Sequence, residues 1–397
     1  MGRGGAPLAG VRVLDLSRYI AGPFCALLLA DLGADVVKVE RPEGEEARAL
    51  SPRVGGLSTY FLVYNRNKKG ITLNLRHPRG PELLRRLAAA ADVLVENFRP
   101  GVMAALGCDY ARLRAVNPRL VMVSVSGFGQ EGPSASLPAY DAIAQAAGGL
   151  MSLTGWPGGP PLLAGTFVGD YAAALYAAAG AVAALFERER TGKGAHVEVA
   201  LVDSVASLLM TAVPDYLLDG REMGPVGTHD RYRSPAGAYR TRDGSVYLMA
   251  VTPRQFAALA HALGRPDLLE DPRFRDPDER VRHRADLDAV IARWTEAHST
   301  DEVVALLRAA SVPCARVATV ADVARDPVLR ARGQILPVEF PDGERTDVPG
   351  CPVRFEGGAP GPARPAPRLG EHTVEVYKEW LGLSREEIES LVQEEVL

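Results

Sequence analysis

Residues 164–186, AGTFVGDYAAALYAAAGAVAALF, set one aspartate, Asp170, between Gly169 and sixteen uncharged residues, Tyr171 to Phe186. That run is mostly alanine and reads as a buried helix. An ionised carboxylate is costly beside apolar packing unless something stabilises it, so Asp170 has to be explained. Read locally, it is an N-cap. Aspartate accepts from the free N–H groups of a helix start, and its charge suits the positive end of the helix dipole.

The second set of candidates is cationic and amide-rich. Arg41 follows VVKVE, Arg76 follows ITLNL, and Asn97-Phe98-Arg99 follow DVLVE. Each group stands at the carboxyl end of an expected strand, where open α/β sheets bind ligands. Guanidinium offers paired donors to phosphate, so three arginines along one edge suit a phosphorylated ligand. Three other patterns fail on context. GFGQEG (127–132) has the glycines of a dinucleotide fingerprint, but Pro133 and Pro138 follow where a helix is needed. Twenty residues past Gly127 stands Ala147, where that fold places an acid. RTGKGAHVEV is not a phosphate-binding loop either, because Glu187 replaces its first glycine and Gly194 its Ser or Thr. The seven histidines sit in no metal spacing, and His229, in a glycine-rich stretch, reads as a solvated loop residue.

The elements that position these residues alternate. VRVLDL (11–16), ADVVKVE (34–40), ITLNL (71–75), DVLVENF (92–98) and LVMVSVSGF (120–128) are strand-length runs with helical spacing between them. HVEVALV (196–202) follows the alanine helix and leads into a helix through Leu218. This β–α–β order predicts an α/β fold, a Rossmann-like large domain (1–218) with a mostly parallel sheet covered by helices. Residues 219–239 read as a linker, and 240–325 as a smaller α/β domain with a strand SVYLMAV. Residues 326–397 return to the large domain through an extended breaker, 356–372, and a capped amphipathic tail helix.

At 397 residues, with 47% hydrophobic and 24% charged residues, the chain has the composition of a soluble protein with a real core. A net charge of −4 and no dense Lys/Arg block argue against a nucleic-acid partner. Cys25, Cys108, Cys314 and Cys351 are scattered and read as reduced, in a cytoplasmic protein with no metal centre. The N-terminus lacks a signal peptide's apolar stretch, and Ala6 stands where myristoylation of Gly2 expects Ser or Thr. The apolar run 171–186 is too short and alanine-rich for a membrane span, so no membrane partner is expected.

Six stretches, in order, carry a resemblance. They are PLAGVRVLDLSRYIAGPFCALLLADLGADVVKVERPEG, YNRNKKGITLNLRHPRG, DVLVENFRPG, PAYDAIAQAAGGLMSLTG, GPPLLAGTFVGDYAAALYAAAGAVAALFERERTGKG and LGEHTVEVYKEWLGLS. From about residue 8 onward the chain resembles the family III CoA-transferases, the group that includes formyl-CoA and carnitine CoA-transferases. The resemblance implies that Asp170 is a covalent nucleophile. It places CoA contacts at Ala21, Arg41, Leu73, Asn74, Leu75, Arg76, Asn97, Phe98 and Arg99, and the thioester end at Tyr140 and Asp141. Acyl-CoA and a carboxylic acid are then the substrates, with no permanently bound cofactor. Succinyl-CoA or another dicarboxylyl-CoA is the expected donor.

The match departs from the formyl-CoA enzyme in three places. Ile20 replaces a glutamine, Ala105 replaces an arginine and leaves Arg99 as the nearby phosphate partner, and MGPVGTHDRYRSP (223–235) lacks a glycine run. Formate and oxalate specificity is therefore not expected. Backbone amides near Gly148 and Gly149, or in the 227–237 loop, are the candidates for an oxyanion site. An α-methylacyl-CoA racemase is the alternative, but it needs a second acid/base, and Tyr140 stands where such enzymes carry histidine. A non-catalytic acyl-CoA-binding protein is the other. Long linkers and the apolar residues Val374, Tyr377 and Leu381 fit the family's homodimer, whose chains are interlocked.

Overall fold

The structure, a computed structural model, describes residues 6–356 and 363–397. Residues 1–5, with the myristoylation position, and 357–362 of the expected breaker lie outside them. The chain divides into two units. One comprises Met1–Leu150, Leu163–Asp219 and Pro327–Leu397, and the other Met151–Leu162 and Gly220–Asp326.

The first unit is built on six parallel strands: β1 (Arg12–Asp15), β2 (Asp35–Glu40), β3 (Lys69–Thr72), β4 (Val93–Glu96), β5 (Val121–Ser126) and β6 (His196–Ala200). Their order is β3-β2-β1-β4-β5-β6. Helices cover both faces, so a strand such as β5 is buried at every residue and reads as a continuous apolar run. Between β1 and β2 runs α1 (Ala21–Asp31), between β2 and β3 α2 (Thr59–Asn65), and between β3 and β4 α3 (Gly80–Ala89). The chain moves outward from β1 to β3, then restarts on the other side of β1 with β4. That reversal opens a crevice at the carboxyl ends of β1 and β4.

The crossover from β5 to β6 carries α4 (Asp141–Ala147) and α5 (Val168–Thr191). Alanines 173, 174, 177 and 181 of α5 are fully buried against α1 and the sheet. Small side chains let the helix approach closely; at Gly180 a Cβ would stand 2.7 Å from Val197 Cγ1. At 24 residues α5 runs past both ends of the apolar stretch, so it is longer than the sequence suggested. It is the one helix among the described residues long and apolar enough to cross a membrane, and half of its apolar window is buried inside the protein.

β3 ends at Thr72, three residues before the end of the expected run 71–75. Leu73 N still donates to Glu40 O (2.7 Å), but Asn74 N turns to Val396 O (2.8 Å), so the C-terminal segment takes over the ladder. That segment is anchored by Tyr377, fully buried, whose hydroxyl donates to Thr72 O (3.1 Å). Val374, read as part of the same apolar face, is exposed. In the second unit residues 220–235 carry no helix or strand. A three-stranded antiparallel sheet of Ala236–Arg240, Ser245–Met249 and Cys314–Arg316 follows, backed by Pro253–Ala262, Arg284–Glu296 and Thr300–Ala309.

Because Ala177 sits with no free space between α1 and the sheet, Ala177→Leu should overpack the core and lower stability by about 1–3 kcal/mol. Denaturant titration with an unchanged midpoint would show that this contact is looser than described.

Candidate active site

A cleft of about 900 Å³ opens at the reversal point of the first unit. Its wall includes the loop after β1 (Arg18 to Ala21), the loop after β4 (Asn97 to Arg99), the end of β5, Tyr140 and Asp141 at the start of α4, and Asp170. The sequence had singled out Ala21, Asn97, Phe98, Arg99, Tyr140, Asp141 and Asp170, and the fold brings these together. Arg18, Tyr19 and Tyr60, which also line the cleft, were not among them. Nothing in their spacing marks them, although Tyr19 takes a left-handed backbone (φ 64°) that a tyrosine rarely adopts.

Asp170 is not the N-cap of α5. That position is Phe167, which makes no side-chain cap. The carboxylate that caps the helix is Asp141, reaching across from the first turn of α4. Its Oδ1 accepts from Gly169 N (2.7 Å) and Asp170 N (3.3 Å), and its Oδ2 from Gln145 Nε2 (2.6 Å). Gly169 permits the approach, since a Cβ there would stand 3.1 Å from Asp141 Oδ1. Gln145 closes the arrangement by accepting from Ala164 N (3.0 Å) and donating to Thr166 O (3.2 Å). Asp141 is thus buried and committed to backbone, so its part is to hold Asp170 in place. It also lines the cleft, where the sequence placed it.

Relieved of capping, the Asp170 carboxylate faces the cleft. Burial pushes its pKa up to about 7, and the neighbouring charge of Asp141 adds to the rise. Aromatic rings dry this side of the site. Tyr60 meets Phe167 edge-on (6.4 Å) and Tyr64 (5.4 Å), and the hydroxyls of Tyr64 and Tyr171 are 2.9 Å apart. Burial raises the Tyr60 hydroxyl, and the Asp170 charge raises it further, so it stays protonated. A poorly solvated carboxylate is a better nucleophile than one in water.

The remaining expected contacts lie at the carboxyl ends of β2 and β3 but outside the cleft wall. Arg41 is held by Gly44 O (2.6 Å) and Glu46 Oε1 (3.0 Å). The Leu73 side chain is core, Leu75 packs against that core, Asn74 donates to Glu395 O (3.1 Å), and Arg76 is exposed. Asn97 lines the cleft, yet both ends of its amide are taken by the backbone of Arg18 (2.8 Å each). The amides of Gly148 and Gly149 close the end of α4 onto Ala144 O and Ala146 O, which removes them as oxyanion donors. His229 belongs to the second unit, 3.6 Å from Asp288. After GFGQEG no helix starts before Asp141, so the dinucleotide reading fails structurally as well. Among the described residues no cluster of His, Cys, Asp or Glu could hold a metal ion.

The family model described as CoA-transferase family III matches residues 8–373. The chain belongs to this family. It is 37% identical over 394 residues to a succinyl-CoA–D-citramalate CoA-transferase of Chloroflexus aurantiacus, covering 98% of each chain. It is 36% identical over 377 residues to the human succinyl-CoA:glutarate CoA-transferase, covering 94% of this chain and 86% of that one. The crystal structure of a CAIB/BAIF family protein from Brucella suis superposes with a TM-score of 0.86 at 36% identity, covering 95% of this chain and all of the other. The protein is therefore an enzyme, a CoA-transferase that moves CoA from an acyl-CoA to a free carboxylic acid.

If Asp170 reacts as a carboxylate, as the resemblance implies, the acid limb of this CoA-transferase falls near pH 7, because its ionised fraction drops below its pKa. Asp141→Asn removes the repelling charge and should move that limb to lower pH in a pH–kcat/KM profile. A limb that stays in place would show that Asp141 does not act on Asp170 electrostatically.

Proposed function

We propose that this CoA-transferase works through Asp170 as a covalent nucleophile, with succinyl-CoA as donor and a dicarboxylic acid as acceptor. The observation that carries the reading is the partly buried carboxylate of Asp170, left without a capping role and facing the cleft. A carboxylate oxygen of Asp170 attacks the thioester carbonyl; the C–O bond forms, the C–S bond breaks and CoA leaves as thiolate. The thiolate attacks the aspartyl carbonyl of the anhydride, forming aspartyl-CoA and releasing the donor acid. The acceptor carboxylate then attacks the aspartyl thioester, and the thiolate returns to the acceptor carbonyl, restoring Asp170. Carboxylates and thiolates leave without protonation, so each step needs positioning rather than proton transfer.

A racemase would need a second acid/base, and no His, Lys or Glu is among the residues lining the cleft. Tyr60, whose proton is held by burial and by the Asp170 charge, does not suit that work at neutral pH. The dicarboxylate preference is supported by the names of both relatives above and by Arg18, a cation on the cleft wall. Arg99, at the cleft, and Arg41 and Arg76, along the same sheet edge, suit the phosphates of CoA. The enzyme is placed in the cytoplasm, a reading supported by its four free cysteines. It is also proposed to be an interlocked homodimer. Leu175, Tyr176, Val182 and Phe186 of α5 are exposed apolar side chains, as at an interface.

Mass analysis after incubation with succinyl-CoA and a free dicarboxylic acid should show CoA exchange and no uptake of α-deuterium from D2O. Asp170→Ala should abolish exchange and leave folding intact, and hydroxylamine added with acyl-CoA should convert Asp170 to a hydroxamate. Full exchange by Asp170→Ala ends the covalent mechanism. Light scattering from nanomolar to micromolar concentration should report a dimer throughout, because linked chains separate only on unfolding. Active enzyme at 42.4 kDa, the mass of one chain, refutes it.

A further inference from the structure

Beneath the cleft wall lies a fully buried set of charges for which the reaction has no direct use. Asp15 ends β1 with no exposed surface. Its Oδ2 accepts from Lys68 Nζ at 2.7 Å, and its Oδ1 accepts from Ser17 N (3.0 Å) and from the Ser17 hydroxyl. Lys68 completes its three donors on Pro23 O (2.9 Å) at the start of α1 and on Asn65 Oδ1 (2.9 Å) in α2. Lys38 of β2, equally buried, donates to Ser17 O and to Glu45 Oε2 (3.1 Å). All three polar groups of Ser17 are therefore held by charged side chains. The next residue is stitched to the loop after β4, with Arg18 N and O both bonded to Asn97.

These bonds hold Ser17 and Arg18, the residues that lead into the cleft-lining run Arg18 to Ala21, where Tyr19 is in the left-handed region. A non-glycine residue there is strained and persists only where its surroundings over-determine it. A buried ion pair is a poor source of stability, since desolvation cancels most of the attraction and apolar replacements often do as well. The pair at this position therefore has to be explained by the shape it imposes. We infer that Lys68 and Asp15, together with Lys38 acting through Ser17, are positioning residues that hold the strained loop Ser17–Ala21 in the form that binds the CoA substrate. The inference rests on the reading of the cleft as the acyl-CoA site.

The test compares wild type, Lys68→Met and the double variant Asp15→Asn/Lys68→Met by titration calorimetry with CoA, thermal unfolding and steady-state exchange. Lys68→Met alone leaves Asp15 buried with one counter-charge fewer and should lose much stability. The double variant buries no uncompensated charge and should unfold close to wild type. Its affinity for CoA should nevertheless fall roughly tenfold, about 1.4 kcal/mol, with KM for acyl-CoA rising more than kcat falls. A double variant with native unfolding and wild-type CoA affinity overturns the inference. So does a double variant that fails to fold, because the pair would then support the core and not the loop. Wild type that binds CoA but exchanges none sinks the transferase mechanism and leaves this inference standing; wild type that binds no CoA sinks both.

Discussion

The first turn of a helix has N–H groups with no acceptor inside the helix, and in α5 the acceptor for two of them comes from another helix. Asp141, at the start of α4, takes the amides of Gly169 and Asp170. Had Asp170 served this need itself, its carboxylate would be turned back onto its own helix, well hydrogen-bonded and a weak nucleophile. With the need met from outside, the side chain is free to face the cleft. The close approach of α4 and α5 depends on Gly169, which explains why the glycine precedes the aspartate. One bond pattern thus fixes the position of the Asp170 carboxylate and supplies a charge that raises its pKa.

That rise has limits that suit the chemistry. A fully desolvated carboxylate would stay protonated and could not attack; one in water would be ionised but poorly reactive. Burial and Asp141 together bring Asp170 to about 7, where a good share of the molecules carry the ionised form that the proposed attack needs. The aromatic wall of Tyr60, Phe167, Tyr64 and Tyr171 keeps water away without adding a competing acid or base. Cations stand on the same cleft wall, at Arg18 and Arg99, and suit anionic substrates drawn toward a site whose centre holds two carboxylates.

The sheet makes this arrangement rigid. Six parallel strands end at one edge, and the reversal between β1 and β4 leaves the crevice there. Buried charges then brace the loops that rim it, Asp15, Lys38 and Lys68 under the loop after β1, and Glu96 under the loop after β4, where its Oε2 accepts from Phe98 N (2.8 Å). Burial raises Glu96 to about 7 as well. Charge placed this deep contributes little net stability; its effect is to leave each loop few alternatives.

Much of this was legible in the sequence for physical reasons. Buried parallel strands must be apolar throughout, so their runs and the alternating helices announced the α/β layers, and Asp170 stood out because a charge beside sixteen uncharged residues needs a purpose. Arg99 and Phe98 could be placed at a strand end by local order alone. What the sequence could not decide was which carboxylate does what. Asp141 and Asp170 are twenty-nine residues apart, and only the packing of α4 on α5 makes one the cap and the other the free group. The same holds for Asn97, whose amide is spent on Arg18 seventy-nine residues away, and for Lys68, fifty-three residues from Asp15. Side-chain roles of this kind are set by long-range contacts, and local residue patterns carry no record of which partner the fold will bring within hydrogen-bond distance.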